Sequence, residues 1–195
     1  MTTSETGGWH QAVPVGPMGG AAKVIEPIPD PVETDAVDLK LLRLLSEDAR
    51  ISRRQLAMEV GMSAPAVGER LARLERLGVI RGYSVAVDWA RLGYSMEVYL
   101  NVLIVPGWDS GQVISDLANF PEIESVSSIS GAYDLLARMH VRDHQHLTRL
   151  LYNGIWQMPS IQRTETQLCF ASAPHWKFST RLLEHMENDS KGAPH

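Results

Sequence analysis

The stretch GMSAPAVGERLARL, Gly61–Leu74, decides how the first half of the chain is read. A glycine and a proline interrupt a run that otherwise has helical spacing, and Arg70 and Arg73 follow on a chain of formal net charge -5. Gly61 stands where a helix C-cap needs positive φ. Ser63 is suited to cap a new helix, its hydroxyl accepting an orphan backbone N–H. Pro65 falls in the first turn, where its missing N–H costs nothing. The interruption is therefore a turn between two helices.

Upstream, SRRQLAMEV opens with Ser52 and, three residues later, Gln55, the reciprocal pairing of a capping box. Leu56, Ala57 and Val60 form its apolar stripe. Before it, ETDAVDLKLLRLLSEDAR predicts a first helix capped by Asp35, with acidic Asp38 in its first turn and Val37, Leu41, Leu44 and Leu45 on one face. Ala57 is small where helices meet, and Val67 packs back on them. Downstream, Gly78 ends the third helix, and VIRGYSVAVD (79–88) reads as a strand that serves as a small wing.

From Tyr94 the texture changes. YSMEVYLNVLIV reads as a strand, and Asp109–Asn119 as a helix with Val113, Ile114, Leu117 and Ala118 inward. IESVSSIS is a strand, SGAYD a turn and LLARMHV a strand. Asp143 caps a helix running to about Trp156, and QRTETQLCFA closes as a strand. The order β-α-β-β-α-β predicts a ferredoxin-like sandwich with both helices on one face of an antiparallel sheet. The fold class is thus α+β, a winged helix-turn-helix followed by a βαββαβ domain. The boundaries are a disordered Gly/Pro-rich arm at 1–33, a first domain at 34–88, a linker at 89–93, a second domain at 94–173 and a tail at 174–195. Within the tail, FSTRLLEHM has the spacing of a short amphipathic helix.

Composition bounds the possibilities. An apolar content of 44% supports a real core, and the single cysteine, Cys169, excludes an intrachain disulfide and a four-cysteine zinc site. No apolar run approaches the roughly 18 residues that span a membrane, and the N-terminus lacks the pattern of a secretory signal. A cytoplasmic protein is expected. Charge is unevenly spread: residues 50–81 hold seven arginines against three glutamates, a local +4 on an acidic chain. That segment points to an anionic partner.

The third helix shows where that partner would lie. At about 100° per residue, Val67, Leu71 and Leu74 share the core face. Pro65, Glu69, Ala72 and Arg76 lie opposite, Ala66 and Arg73 to one side, and Arg70 at the core's edge. Small residues at the N-terminal end allow close approach to base edges in a major groove, and arginines further along suit phosphates. The candidate contacts to double-stranded DNA are Ser52, Arg53, Arg54, Ser63, Ala64, Pro65, Ala66, Glu69, Arg70, Arg73, Arg76 and Arg81.

In the second half, Ser130–Asp134 admits two readings. As plain structure it is a hairpin turn, with Asp134 hydrogen-bonding the loop. As a site, Tyr133 offers an apolar ring with a polar tip, Asp134 a carboxylate for an α-ammonium group, and the backbone beside Gly131 N–H groups for an α-carboxylate. The candidate effector residues are Ser130, Gly131, Ala132, Tyr133 and Asp134.

The motifs together resemble the Lrp/AsnC family of transcriptional regulators. Asp48, Arg50, Ile51 and Ser52 match its D-x-R-I-S. Leu56, Ala57, Val60, Gly61, Met62 and Ser63 match its turn. Arg70, Arg73, Leu74, Glu75, Gly78, Val79 and Ile80 match the helix end, and Gly82 and Tyr83 the G-Y that follows. Ser130, Gly131, Tyr133 and Asp134 match S-G-x-Y-D, and Pro159, Ile161, Arg163, Thr164 and Thr166 match the last strand. The resemblance covers roughly 35–172. It implies a small effector, such as an amino acid, held at the Ser130–Asp134 loop between neighbouring subunits, with Thr164 and Thr166 as neighbours. It also implies dimers through paired second-domain sheets, often assembling into tetramers or octamers. Ala64, Pro65, Ala66 and Gly68 depart from the family's frequent P-T-P followed by a larger apolar residue, which bears on the operator sequence.

Other chemistry finds little purchase. His144 and His146 diverge by about 200° on a helix, and Asp143 reads as a cap, so no metal site is expected. Cys169 alternates with apolar residues as a core position, and Trp156 and Met158 read as packing the sheet. There is no Gly-rich phosphate loop or nucleophile elbow, so neither cofactor nor catalysis is expected. An architectural DNA-binding protein without effector is the alternative at this point; an enzyme on the ferredoxin-like half would need an acid–base pair or nucleophile that the sequence does not offer.

Overall fold

The computed structural model describes residues 29–172 and 177–192. They form two compact units, one from the N-terminal helices up to Val87 together with the segment from Ala171, the other from Asp88–Phe170. The arm expected at 1–33 lies outside the described residues as far as residue 28, as do Trp9 and Trp176.

The first unit holds α1 (Ala36–Glu47), α2 (Arg53–Val60) and α3 (Ala64–Arg76). The Asp38 N–H donates to Asp35 Oδ1 at 2.8 Å and the Asp35 N–H to Asp38 Oδ2 at 3.4 Å, a capping box at the start of α1. Ser52 and Gln55 pair likewise before α2, the N–H of each bonded to the other's side chain at 3.0 and 3.2 Å. Gly61 ends α2 at φ 69°, in the left-handed region that suits glycine. Leu41, Leu56, Ala57, Val67 and Leu71 form one buried cluster, and truncating such a leucine costs about 2–5 kcal/mol.

Two segments of this unit differ from expectation. Residues 81–88 are exposed and have no ladder partner among the described residues, so the wing's strand is not formed here. A strand is defined by its neighbour's hydrogen bonds, and sequence alone does not supply the neighbour. The tail forms a 16-residue helix, α6 (Lys177–Gly192), longer than its amphipathic spacing suggested. Short helices are marginal in isolation; this one packs on α1, where Ser46 Oγ meets Thr180 Oγ1 at 2.9 Å and Arg43 Nε donates to Glu187 Oε1 at 2.9 Å.

The second unit contains β1 (Met96–Ile104), α4 (Ser110–Ala118), β2 (Ile123–Ser128), β3 (Leu135–Val141), α5 (His144–Asn153) and β4 (Ile161–Cys169). The strands form one antiparallel sheet in the order β2-β3-β1-β4. Val98, Leu100 and Val102 of β1 and Leu135, Ala137 and Met139 of β3 turn one face inward, onto Val113 and Leu117 of α4 and Leu147 and Leu151 of α5. Ala118, expected inward, is exposed. Both helices cover the same face, so the other carries Glu97, Tyr99, Asn101 and Leu103 of β1 and Arg163, Glu165, Gln167 and Cys169 of β4 by register. Cys169 is half-buried there, outside the core under the helices.

α5 stops short of Trp156, at Gly154, whose backbone leaves the helical region at φ -124° and ψ -85°. A Cβ at this position would lie 2.7 Å from the Phe120 ring and 2.8 Å from the Leu150 carbonyl oxygen. Because the carbonyl is backbone, it cannot swing aside. Gly154→Ala is expected to lower stability by about 1–3 kcal/mol, read as a lower urea midpoint at unchanged slope. A midpoint equal to wild type would show that the turn relaxes freely.

Candidate nucleic-acid interface and effector site

The N-terminal turn of α3 keeps the character its residues dictate. Pro65 and Glu69 are exposed, Ala64 and Ala66 half-buried, and Ser63 Oγ accepts the Ala66 N–H at 3.3 Å. Arg53 and Arg54, in the first turn of α2, and Arg76 and Arg81 are exposed, and none has a hydrogen-bond or ion-pair partner among the described residues. Arg50, in the same basic segment, is also exposed, and its backbone N–H donates to Asp48 Oδ1 at 2.8 Å. Arg53 Nη1 passes 3.9 Å from where a Cβ on Gly68 would lie, an ordinary van der Waals distance, so that guanidinium stands beside the N-terminal half of α3.

Arg70 and Arg73 are placed otherwise. Arg70 Nη1 lies 2.7 Å from Asp35 Oδ2 and 2.8 Å from Asp38 Oδ1. Arg73 Nη1 lies 3.3 Å from Asp38 Oδ2, and its Nη2 donates to the Glu33 carbonyl at 2.8 Å. Asp38 is buried, so its carboxylate joins the start of α1 to the middle of α3. The hydrogen bonds that Arg70 donates to Asp38 and Asp35 hold its guanidinium above the usual arginine range. Burial works against ionisation of Asp35, but the Asp38 N–H and Arg70 outweigh it and hold that carboxyl below its ordinary value. Sequence spacing puts both arginines toward phosphate; the structure engages them within the unit. The signal for this lies in Asp35 and Asp38, whose spacing alone shows only their capping role.

In the second unit, Ser130, Gly131 and Ala132 are exposed, with Gly131 at φ 136°. The Ile104 N–H donates to Asp134 Oδ2 at 2.8 Å, and the Asp134 N–H to the Val102 carbonyl at 3.0 Å. That carboxylate therefore anchors the loop to β1. Tyr133 donates its hydroxyl to Glu165 Oε2 at 2.7 Å, and the Arg163 guanidinium lies 5.8 Å from its ring centre. The Glu165 carboxylate raises the Tyr133 phenol above its ordinary value, and the same bond holds Glu165 below its own. Thr164 and Thr166 alternate with Arg163 and Glu165 and so project from the opposite face of β4. Thr164 Oγ1 accepts from Trp156 Nε1 at 2.8 Å, and Trp156 is an exposed ring edge-on to Tyr152 at 4.6 Å. One chain thus brings the loop together with Arg163 and Glu165, not with the two threonines. Alternation along QRTETQ discloses this once the register of β4 is known.

Comparison with known proteins agrees with both halves. Residues 34–81 match the family model described as winged helix-turn-helix DNA-binding, and residues 98–174 that of the Lrp/AsnC ligand binding domain. The chain is 30% identical over 148 residues to the uncharacterized HTH-type transcriptional regulator PH0140 of Pyrococcus horikoshii, over 76% of this chain and 92% of that protein. Among solved structures it is similar to B. subtilis LrpC, with a TM-score of 0.64 and 26% identity over 73% of this chain and 98% of LrpC. The L-Met complex of the regulator NMB0573 from Neisseria meningitidis matches in fold, with a TM-score of 0.70 at 20% identity over 73% of this chain and 94% of that one. No described helix is long and apolar enough to cross a membrane. With a DNA-binding helix-turn-helix followed by a ligand-binding βαββαβ domain, the chain belongs to the Lrp/AsnC family of transcriptional regulators.

Proposed function

We propose that this protein is a sequence-specific regulator that binds double-stranded DNA as a homodimer or higher assembly in the cytoplasm and responds to an amino acid or a close metabolite. In this reading residues 34–88 bind DNA, 94–173 sense the effector and assemble, and 89–93 link them. The observation that carries it is the small, accessible N-terminal turn of α3 flanked by the guanidinium groups of Arg53, Arg54, Arg76 and Arg81, unpaired among the described residues. The small residues approach base edges while the arginines take phosphates.

Two features support assembly. No described element covers the sheet face away from the helices, on which Tyr99, Leu103 and Leu136 are half-buried. The segment 81–88 exposes Tyr83, Val85 and Val87 on alternate residues, beside backbone groups with no ladder partner among the described residues, which suits antiparallel pairing about a two-fold axis. Two-fold symmetry also supplies the second half-site that selectivity requires. At the Ser130–Asp134 loop, Arg163 and Glu165 provide the opposite charges that an amino acid zwitterion needs, and the L-Met complex of the Neisseria regulator supports that ligand class.

The test is a gel shift on the DNA flanking the protein's own gene, repeated with each amino acid, with light scattering on the same samples. A shift altered by at least one amino acid, from an oligomer, is expected. A shift indifferent to all of them favours an architectural protein. Absence of a shift, or a monomer at micromolar concentration, overturns the proposal.

A further inference from the structure

A second cavity lies at the other end of β3. The Ser130–Asp134 loop precedes β3, whereas His140 is near its far end, about 20 Å from Asp134 at ~3.3 Å per residue. There a cavity of about 270 Å³ is lined by Trp89, Tyr94, Pro121, Glu122, Glu124 and His140. Its aromatic wall is built by a tight turn. Gly93, at φ 90°, lets the Tyr94 N–H reach the Trp89 carbonyl at 2.9 Å, bringing both rings to one side. Its acidic side is built by an irregularity in β2. The ladder pairs Ile123 with Met139 but Ser125 with Arg138, so Glu124 is an extra residue whose carboxylate is re-aimed. Glu124 then meets His140 Nε2 at 2.9 Å, and Glu122 meets His146 Nε2 at 3.0 Å.

The charges there do not balance. Arg138 serves both Glu97, at 2.7 Å, and Glu124, at 3.1 Å. Arg142 lies 5.1 Å from the Tyr94 ring centre and donates to its hydroxyl at 3.1 Å. Three carboxylates thus face two guanidinium groups, an excess of one negative charge with the histidines counted neutral. Arg142 already shows that this aromatic wall accepts a cation, and Trp89 is 44% exposed. Each carboxylate retains acceptor capacity beyond its present bonds.

We propose that this cavity binds a small aliphatic amine or guanidine that lacks a carboxylate. The cation would lie against Trp89 while Glu122 and Glu124 accept its N–H groups. A carboxylate on the ligand would meet two glutamates and find both arginines already engaged. The volume lies just below the usual range of ligand pockets, about 300–1,000 Å³, and so excludes large ligands. This site is independent of the amino-acid site proposed above.

Calorimetry on the full chain with agmatine, putrescine and L-arginine tests it. Agmatine is expected to bind at millimolar Kd or tighter, and L-arginine at least about tenfold more weakly. The double variant E122Q/E124Q should weaken agmatine by about tenfold or more. In proton NMR, agmatine should shift the one indole N–H resonance that is missing from the spectrum of Trp89→Phe, a readout independent of any binding variant. No indole shift at about 10 mM agmatine, L-arginine binding as tightly as agmatine, or undiminished binding by a folded E122Q/E124Q would each overturn the proposal. None of these outcomes depends on whether the protein shifts DNA or binds amino acids at the loop.

Discussion

Asp38→Ala is expected to lower the stability of the DNA-binding unit by about 2–3 kcal/mol, seen as an earlier thermal transition of that unit. The carboxylate is 3% exposed and holds Arg70 and Arg73 at 2.8 and 3.3 Å. Breaking a buried pair from one side costs about 3–5 kcal/mol when the remaining charge is stranded. Here the arginine side chains are 29% and 39% exposed and can regain water, so the loss is smaller. The substitution also removes half of the capping box on α1, worth about 1 kcal/mol. Asp38→Asn, which keeps the shape and one acceptor, should fall between. The adjacent Asp35 adds a pH dependence. Its folded pKa is depressed, so its contribution is complete above the ordinary aspartate range and is lost as pH falls through the folded value, below about pH 4. An Asp38→Ala protein as stable as wild type would mean that the α1–α3 bridge contributes nothing net.

The second large effect concerns DNA and separates two kinds of arginine. Removing one arginine from a phosphate should reduce the salt slope by about one unit and, near 0.1 M salt, the affinity by roughly tenfold. Arg53→Ala, Arg54→Ala and Arg76→Ala should each do so, because these guanidinium groups are exposed and without partners among the described residues. The triple variant should bind about 100- to 1,000-fold more weakly across all sequences, since phosphate interactions carry little base information. Arg73→Ala should leave the slope near wild type while lowering stability, because that guanidinium is engaged by Asp38 and the Glu33 carbonyl. Binding followed by fluorescence anisotropy between about 50 and 200 mM salt resolves the difference. The reverse pattern, with the slope falling for Arg73→Ala and unchanged for the other three, would transfer the phosphate role to the bridged arginines.

What the sequence by itself determined is local. The turn at Gly61 follows from the left-handed backbone that glycine tolerates, and the starts of α1, α2 and α3 follow from Asp35, Ser52 and Ser63, whose side chains bond backbone N–H groups within three residues. The alternation that buries Val98, Leu100 and Val102 is equally local, set by a period of two. Interactions that close within one turn or one strand can be read from spacing alone. Only the tertiary structure decided the rest. Arg70 and Asp38 are 32 residues apart, and nothing in the spacing of either helix says that they meet. The same holds for Tyr133 and Glu165, also 32 apart, whose union depends on the register of β4 against β1. α6 needed the surface of α1 before its amphipathic spacing became a helix of 16 residues. The wing segment 81–88 marks the limit from the other side: its residues have strand character, but a strand requires a second edge, and none of the described residues provides one. Propensity and capping act over a few residues, whereas charge pairing and ladder formation act between segments that only the folded chain brings together.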